Sequence, residues 1–238
     1  MVNFSKVYKM NKRIFFSMFL ISAGIIFSIQ SCKTAEGEKA EITDAALISE
    51  VYGTGFELDV TKSIVYWEGA KPGTTHTGTL EFLEGMVYIE NGKVIGGQFI
   101  FDMSTINVTD LSGGRKDRLE AHLKGTTEDK AEDFFNMRVY PTAQFQISKI
   151  TQLEGDPSAN HMIYGNLTIK DITKEIGFKA HINLSGEKIE VVTPPFTIDR
   201  TLWDIKFLSN RFFDNIADRA IDDHIGLRIN LMANALKS

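Results

Sequence analysis

The chain has 238 residues, of which 43% are hydrophobic and 24% are charged, a composition typical of a globular protein with one sizeable core. Its formal net charge of −5, with no basic run after residue 13, excludes a surface built to bind nucleic acid. Its only cysteine, Cys32, excludes a disulfide framework within the chain.

The first 31 residues have the pattern of a secretory signal. Four basic residues precede an apolar run over residues 14–29, which is short for a membrane-spanning helix but typical of a signal sequence. The segment resembles a bacterial lipoprotein signal, which implies cleavage before Cys32 and lipidation of that cysteine. An uncleaved anchor and an ordinary signal with an incidental cysteine are the alternatives. Gln30 departs from the usual small residue, which leaves the exact cleavage position open, and Met10 is a second candidate start besides Met1. Cleavage leaves 22 basic against 31 acidic residues, a net charge of −9.

Residues 32–55 are polar, small and acidic, with few bulky apolar side chains. This composition predicts a flexible tether between the lipidated Cys32 and a folded body over residues 56–238. A short helix at residues 45–49 is the alternative for that part of the tether. Lys33 rather than Asp follows the cysteine, which by the sorting rule of similar lipoproteins favours the outer membrane, facing the periplasm.

From residue 56 onward, apolar and polar residues alternate in short runs, as in antiparallel strands with one buried face. The clearest run is residues 162–184, where two alternating arms flank a predicted hairpin at Asp171-Ile172-Thr173. Asn91-Gly92 predicts a second hairpin, and Pro194-Pro195 predicts a bulge or an edge. Eight or nine such runs follow one another through close turns. We therefore predict an all-β protein, either two packed sheets or an eight-stranded antiparallel barrel.

Residues 107–140 interrupt this alternation. Residues 115–124 and 130–137 predict one or two short helices separated by Gly125-Thr126-Thr127. An insertion of this length in a β protein indicates either a lid over a cavity or a crossover that covers one end.

The chain resembles the YceI-like family in five runs, in order and spacing: GGQFIFDMSTINVTD, RLEAHL, DFFNMRVYPTAQFQISKI, YGNLTIKDITKEIGF and FTIDRTLWDIKF. The match covers roughly residues 56–235. It implies a lipocalin-like barrel whose elongated apolar channel holds a polyisoprenoid or a similar long-chain amphiphile, in a secreted or periplasmic protein. The sequence departs from the family at Asp171, where Gly is commoner, and in a longer, charged segment at residues 108–132.

The predicted channel lining consists of the inward-facing residues of the alternating runs and the aromatic side chains that follow them. The set is Val65, Trp67, Leu80, Phe82, Phe99, Phe101, Phe145, Ile147, Leu167, Ile169, Phe178, Ile198, Arg200, Trp203 and Phe207. Small residues among them, Gly78, Gly165 and Ala180, either leave room for a channel or serve tight coiling of the strands.

Three charged or titratable residues have two interpretations each. Arg118 and His122 resemble the family's R-x-x-H-L-like motif, here spaced as R-L-E-A-H-L. They either contact a polar or phosphorylated head group at the mouth or pin the helix to the rim through Asp102 or Asp199. Arg200 has the same two interpretations, a head-group contact or a structural ion pair, and for the second Asp199, Asp204 and Asp214 are candidate partners.

Together these patterns predict a lipid-anchored envelope protein that carries or stores a polyprenol, a quinone or a fatty acyl chain, without a cofactor. The alternative is an interaction or structural lipoprotein with a packed interior, which would use exposed aromatic residues at 203–213. Pairing of two barrels stays open. The five histidines are scattered, and no G-x-S-x-G elbow, P-loop or dinucleotide fingerprint occurs, so we predict neither a metal site nor an enzyme.

Overall fold

The computed structural model describes residues 34–236. Within this range the chain forms twelve strand segments, one α-helix and three short 3-10 helices. The strands are β1 Glu38–Lys39, β2 Glu41–Asp44, β3 Thr54–Leu58, β4 Ile64–Lys71, β5 Thr74–Glu90, β6 Lys93–Val108, β7 Thr142–Gln152, β8 His161–Ile169, β9 Ile172–Ser185, β10 Lys188–Val192, β11 Phe196–Asp199 and β12 His224–Ala235. The α-helix, α1, is Gly113–Lys124, and the 3-10 helices are Glu128–Lys130, Arg200–Trp203 and Ala217–Arg219. No helix in this range is both long and apolar enough to cross a bilayer.

The strands close into a ring with eight positions in the described part of the chain. β3 and β4 both pair with β5 on one side and with β12 on the other, so together they occupy one position. β10 and β11 likewise follow one another along β12. The neighbours β5 to β10 pair in chain order, and every pairing in the ring is antiparallel. The predicted eight-stranded antiparallel barrel is therefore confirmed.

Two hairpins have the turn chemistry that the sequence indicated. Asn91 and Gly92 have φ of 50° and 73°, and Lys170 and Asp171 have φ of 49° and 58°. Left-handed angles at both central residues are those of a type I′ turn, whose twist suits antiparallel strands. The second loop begins one residue earlier than predicted, because Ile172 already pairs with Ile169. The break predicted at Pro194-Pro195 separates β10 from β11.

The insertion contains only the first of the two predicted helices. α1 ends at Gly125, which has a φ of 68° and whose amide donates to the carbonyls of Ala121 and His122. The helix predicted at residues 130–137 is wrong, since that segment holds turns after the 3-10 helix Glu128–Lys130. Asn136 is buried there with a φ of 46°, an angle that a right-handed helix excludes.

Part of the predicted flexible tether is instead part of the barrel wall. Residues 35–46, here called the strap, contain β1, which pairs in parallel with β11, and β2, which pairs antiparallel with β9. Its acidic residues form ion pairs, since Glu38 lies 2.8 Å from Lys179 and Asp44 lies 2.9 Å from Lys174. The strap packs because β9 and β11 each present an edge that needs a partner.

No helix forms at residues 45–49. The predicted signal peptide and Cys32 lie outside the described residues, and the domain boundaries remain predictions.

Candidate functional site

The barrel encloses a cavity of about 530 Å³. This volume lies within the range of about 300–1,000 Å³ that is typical of small-molecule pockets. On β12 alone the lining runs from His224 to Leu231, a distance of about 23 Å along the strand. The interior is therefore long, narrow and unfilled, which argues against the alternative of a fully packed barrel.

A belt of phenylalanine rings from β5, β6, β7, β9 and β11 lines part of the cavity wall. Phe82 contacts Phe101 and Phe99, with ring centroids 4.9 Å and 6.1 Å apart. The row continues through Phe145 and Phe178 to Phe196 on β11, and the last two rings are stacked with centroids 4.6 Å apart. Most of the cavity surface is thus apolar, which favours a ligand recognised by burial of hydrocarbon.

All fifteen residues of the predicted channel lining border this cavity. Other lining residues lie on the alternating apolar faces that the sequence indicates but were not included in the predicted lining. Among them are Ile163, Ile176, Ile182, Phe196, Ile225, Leu227, Ile229 and Leu231. By contrast, Phe134 comes from the insertion, and no periodicity indicated it.

The small inward residues serve packing of aromatic rings. A Cβ at Gly78 would overlap the ring of Trp67, and a Cβ at Gly165 would overlap the ring of Phe145. Trp67 is further fixed because its Nε1 donates to the carbonyl of Thr79 at 3.1 Å. These glycines therefore make room for the side chains of neighbouring strands. The space left by their missing side chains is filled by those rings and does not enlarge the cavity.

One end of the cavity is polar and reaches solvent. We call it the mouth, and it is lined by Lys71, His76, Asp218, Arg219, Asp222 and His224. Of these, Lys71, Asp218 and Arg219 are exposed. Lining residues towards the opposite end, such as Val87, Ile182 and Leu231, are apolar and buried. A bound amphiphile would accordingly place its polar group at the mouth and its tail inside.

Two segments roof the mouth end. α1 contributes Leu119, His122 and Leu123 to the lining, and residues 200–223 contribute Trp203 and Phe207 among others. The two segments meet where the ring of His122 packs edge-on against Phe134 and Phe207, with centroids 5.0 Å and 5.1 Å away. Trp203 is fully buried and its Nε1 donates to the carbonyl of Leu167 at 3.0 Å, which ties this roof to β8.

Arg200 borders the cavity, but its guanidinium is bonded to the backbone. Four of its five N–H groups donate to carbonyls, which belong to Ile205, Phe207, Ile221 and Asp222 at 2.6–3.1 Å. Burial lowers the pKa of this group from its ordinary value, an effect that the neighbouring Asp223 opposes.

The nearest carboxylate of Arg200 is Asp223, whose Oδ1 lies 3.7 Å from Nη2. None of the three partners predicted for Arg200 pairs with it, and two of them have other cations. Asp199 binds Arg211 and Asp204 binds Lys206. Arg200 thus holds residues 200–223 in place.

The structure separates the two predicted head-group contacts. His122 borders the cavity, and its Nε2 lies 2.7 Å from Oδ2 of Asp133. Its acidic partner is therefore Asp133 and not the predicted Asp102 or Asp199. Arg118 is exposed and lies in a shallow groove beside α1 that shares His76, Leu119 and His122 with the cavity wall. Only His122 could touch a ligand inside the barrel. Arg118 could reach a group that projects from it.

The mouth and its roof together carry three histidine–aspartate pairs, from separate elements. His76 pairs with Asp110, His122 with Asp133 and His224 with Asp222. Among the described residues, none of these rings contacts a hydroxyl or thiol that it could activate, and no group of three potential ligands is arranged to hold a metal ion.

Comparisons with known proteins identify relatives of this chain. A family model described as the YceI-like domain matches residues 56–233. No curated protein is significantly similar to the chain in sequence.

Among solved structures, Burkholderia cenocepacia BcnA is similar with a TM-score of 0.57 and 18% identity, over 74% of this chain and 99% of that one. A polyisoprenoid-binding domain from Saccharophagus degradans is similar with a TM-score of 0.53 and 15% identity, over 77% of this chain and 99% of that domain. At these identities the likeness shows a shared, lipocalin-like fold.

Proposed function

Because the chain belongs to the YceI-like family, we propose that it binds a polyisoprenoid or a similar long-chain amphiphile inside the barrel. The observation that carries the proposal is the long apolar cavity with its belt of phenylalanine rings and one polar mouth. The Saccharophagus degradans domain, which has a similar fold, is a polyisoprenoid-binding domain, and this supports the same ligand class here. Burial of hydrocarbon contributes about 0.8 kcal/mol for each methylene, so a tail of ten or more carbons would bind without a specific polar contact.

We further propose that the protein is a carrier or store and not an enzyme. The lining offers little chemistry, since the cavity charges are confined to the mouth and to Arg200, which is bonded to carbonyls. The family is one of binding domains, which supports the same conclusion. Selectivity would then depend on the length and shape of the tail more than on its head group.

The test of ligand binding is native mass spectrometry of residues 33–238, purified from a bacterial envelope without detergent and then extracted with organic solvent. We expect an adduct of a long isoprenoid or acyl chain. A matched pair of variants sharpens the test. Ala143→Phe places a ring in the cavity, whereas Ala45→Phe makes the same substitution at an exposed site.

The adduct should be lost in Ala143→Phe and kept in Ala45→Phe, with both variants folded by circular dichroism. Bare wild-type protein that also fails to take up added polyprenol or quinone would overturn the proposal. It would favour the interaction-protein alternative.

We also propose that the mature protein is attached to the cell envelope through lipidated Cys32, in the outer membrane facing the periplasm. The supporting observations are the basic and apolar pattern of residues 1–31 and the position of the only cysteine after it. Growth with an alkyne-labelled fatty acid should label the wild-type protein and leave Cys32→Ser unlabelled. Equal labelling of the two forms would contradict lipidation at this position.

A further inference from the structure

The roof segment at residues 200–223 presents large apolar side chains to solvent. Phe212 is 50% exposed, Phe213 is 44% exposed and Leu202 is 37% exposed. The amides of both phenylalanines donate to the carbonyl of Ser209, at 3.1 Å and 3.0 Å, so the backbone behind them is a bonded turn. We call Phe212 and Phe213 the apolar tip. Two exposed rings on a fixed turn have an energetic cost in water that a partner surface would remove.

Two cations lie beside Phe212 of this tip, and one of them, Lys206, also pairs with the exposed Asp204 at 2.6 Å. The Nζ of Lys206 lies 5.0 Å from the ring centroid of Phe212, and the guanidinium carbon of Arg211 lies 5.8 Å from it. Arg211 is held by Asp199 and Asp223 at 2.6 Å and 2.8 Å while remaining half exposed. Aromatic rings flanked by lysine and arginine match the interfacial layer of a bilayer, where rings lie at the level of the head groups and cations meet phosphates.

The same segment forms the mouth of the cavity. Asp218, Arg219 and Asp222 line the mouth, and Ile205 and Phe207 line the cavity just inside it. Arg211, which precedes Phe212, pairs with Asp223, and Asp223 adjoins Asp222 of the mouth, so the apolar tip lies at the mouth end of the barrel.

The N-terminal part of the strap reaches the barrel near the same end. A Cβ added at Gly226 would lie 3.4 Å from Cβ of Ala35 and 3.2 Å from the carbonyl oxygen of Glu36, so these residues pack on β12 two positions after His224 of the mouth. Cys32 is three residues before Ala35, which limits its distance from that point to about 11 Å. A lipid on Cys32 would therefore hold this end of the barrel close to the membrane.

We propose that the apolar tip docks on the surface of a phospholipid bilayer, so that the mouth of the barrel faces the membrane. Phe212 and Phe213 enter the interfacial layer, and Lys206 and Arg211 meet lipid phosphates. This docking proposal rests on the geometry of residues 200–223 and is independent of which ligand the cavity binds. It would allow a membrane lipid to pass between bilayer and cavity with little exposure to water.

The test uses residues 34–238, which lack the leader and the cysteine. This part is suitable because all strand partners of the ring lie within it. Its binding to vesicles of phosphatidylcholine with a minor fraction of phosphatidylglycerol is measured by flotation. We expect wild-type protein to float with the vesicles. The double variant Phe212→Ser/Phe213→Ser should lose at least about tenfold in partitioning.

The matched control is Leu83→Ser, which removes a 53% exposed apolar side chain from β5, in the barrel wall, and should partition as the wild type does. A second measurement does not depend on a variant that loses binding. In Phe213→Trp, added vesicles with brominated acyl chains should quench the fluorescence of the new tryptophan. The two native tryptophans should contribute little to this quenching, because Trp203 is fully buried and Trp67 is partly buried against the core.

Absence of wild-type flotation, or equal flotation of wild type and double variant, would overturn the proposal. If the vesicles are not bound but wild-type protein self-associates and the double variant does not, the tip is instead a contact between two copies of the chain.

Discussion

The rings of Phe178 on β9 and Phe196 on β11 stack in parallel, with centroids 4.6 Å apart and planes at 4°, across a place where the two strands share no backbone pairing. β9 pairs with β10 only from His181 to Ser185, and its earlier half pairs with the strap instead. The strap fills this seam by backbone pairing with both strands, and the two phenylalanine rings line the cavity there.

Gly37→Ala should detach the strap from this seam. Gly37 has a φ of 133°, and an added Cβ would lie 2.6 Å from the backbone nitrogen of Phe196, so the chain would have to move. We expect the variant to lower the free energy of unfolding by about 1–3 kcal/mol in urea titrations. Gly73→Ala is the control, because Gly73 also has a positive φ, of 75°, but no atom lies within 4 Å of the new Cβ.

Gly73→Ala should cost no more than about 1 kcal/mol, the conformational penalty alone. Equal losses in the two variants would mean that the strap contributes little to the stability of the barrel.

The strap shows where sequence reasoning about the fold reached its limit. Alternation predicted the ring because each of its strands has a buried and an exposed face, as in Ile163, Gly165 and Leu167 on β8. The strap has only a short alternation, in which Ala40 and Ile42 pack against the core, and its other contribution is backbone bonding to two edges. Backbone pairing is the same for every residue type, so composition alone predicted a tether.

Arg200→Lys should destabilise the roof of the barrel more than its conservative chemistry implies. The lysine ammonium cannot reproduce a planar fork that donates to four separate carbonyls, so buried acceptors would be left without partners. We expect a loss of about 2–4 kcal/mol in the free energy of unfolding. Arg211→Lys, on the same segment but half exposed, should cost about 1 kcal/mol or less. A loss for Arg200→Lys no larger than that control would contradict the structural role given to Arg200.

Asp199→Asn should make stability less dependent on pH in acid. Burial raises the pKa of the Asp199 carboxyl, but bonds from the hydroxyl and amide of Thr201 and from Arg211 outweigh this effect and hold the pKa below its ordinary value of 3.8. A carboxyl whose pKa is depressed by folding stabilises the protein above that ordinary value, and this stabilisation is lost as the pH falls through the folded pKa. Wild type should exceed the variant in unfolding free energy at pH 7, and the difference should shrink as the pH falls below about 4. A difference that is constant from pH 7 to pH 2 would contradict the depressed pKa.

The candidate site was predictable where it depends on strand faces and unpredictable where it depends on loops. Phe99, Phe145 and Phe178 follow from alternation within their own strands. The mouth does not, because Asp218 and Asp222 reach it only through the path of residues 200–223, which carries no regular period. The partner of Arg200 was missed for a related reason. Sequence reasoning sought a carboxylate, whereas the structure uses backbone carbonyls, which every segment of chain can offer.

Gly165→Ala should narrow the cavity by pushing the ring of Phe145 into it. The new Cβ would overlap the ring of Phe145, and the carbonyl of Gln146, at 2.7 Å, closes the other direction, so the ring must move towards the lumen. Phe145 stands between Phe99 and Phe178 in the aromatic belt, so its displacement also disturbs their packing. We expect a loss of about 1–3 kcal/mol in unfolding free energy and weaker uptake of a long-chain fluorescent fatty acid. Gly69→Ala borders the cavity with no atom within 4 Å of the new Cβ and should leave both quantities nearly unchanged. Unaltered uptake in a folded Gly165→Ala protein would show that the ligand does not pass the ring of Phe145.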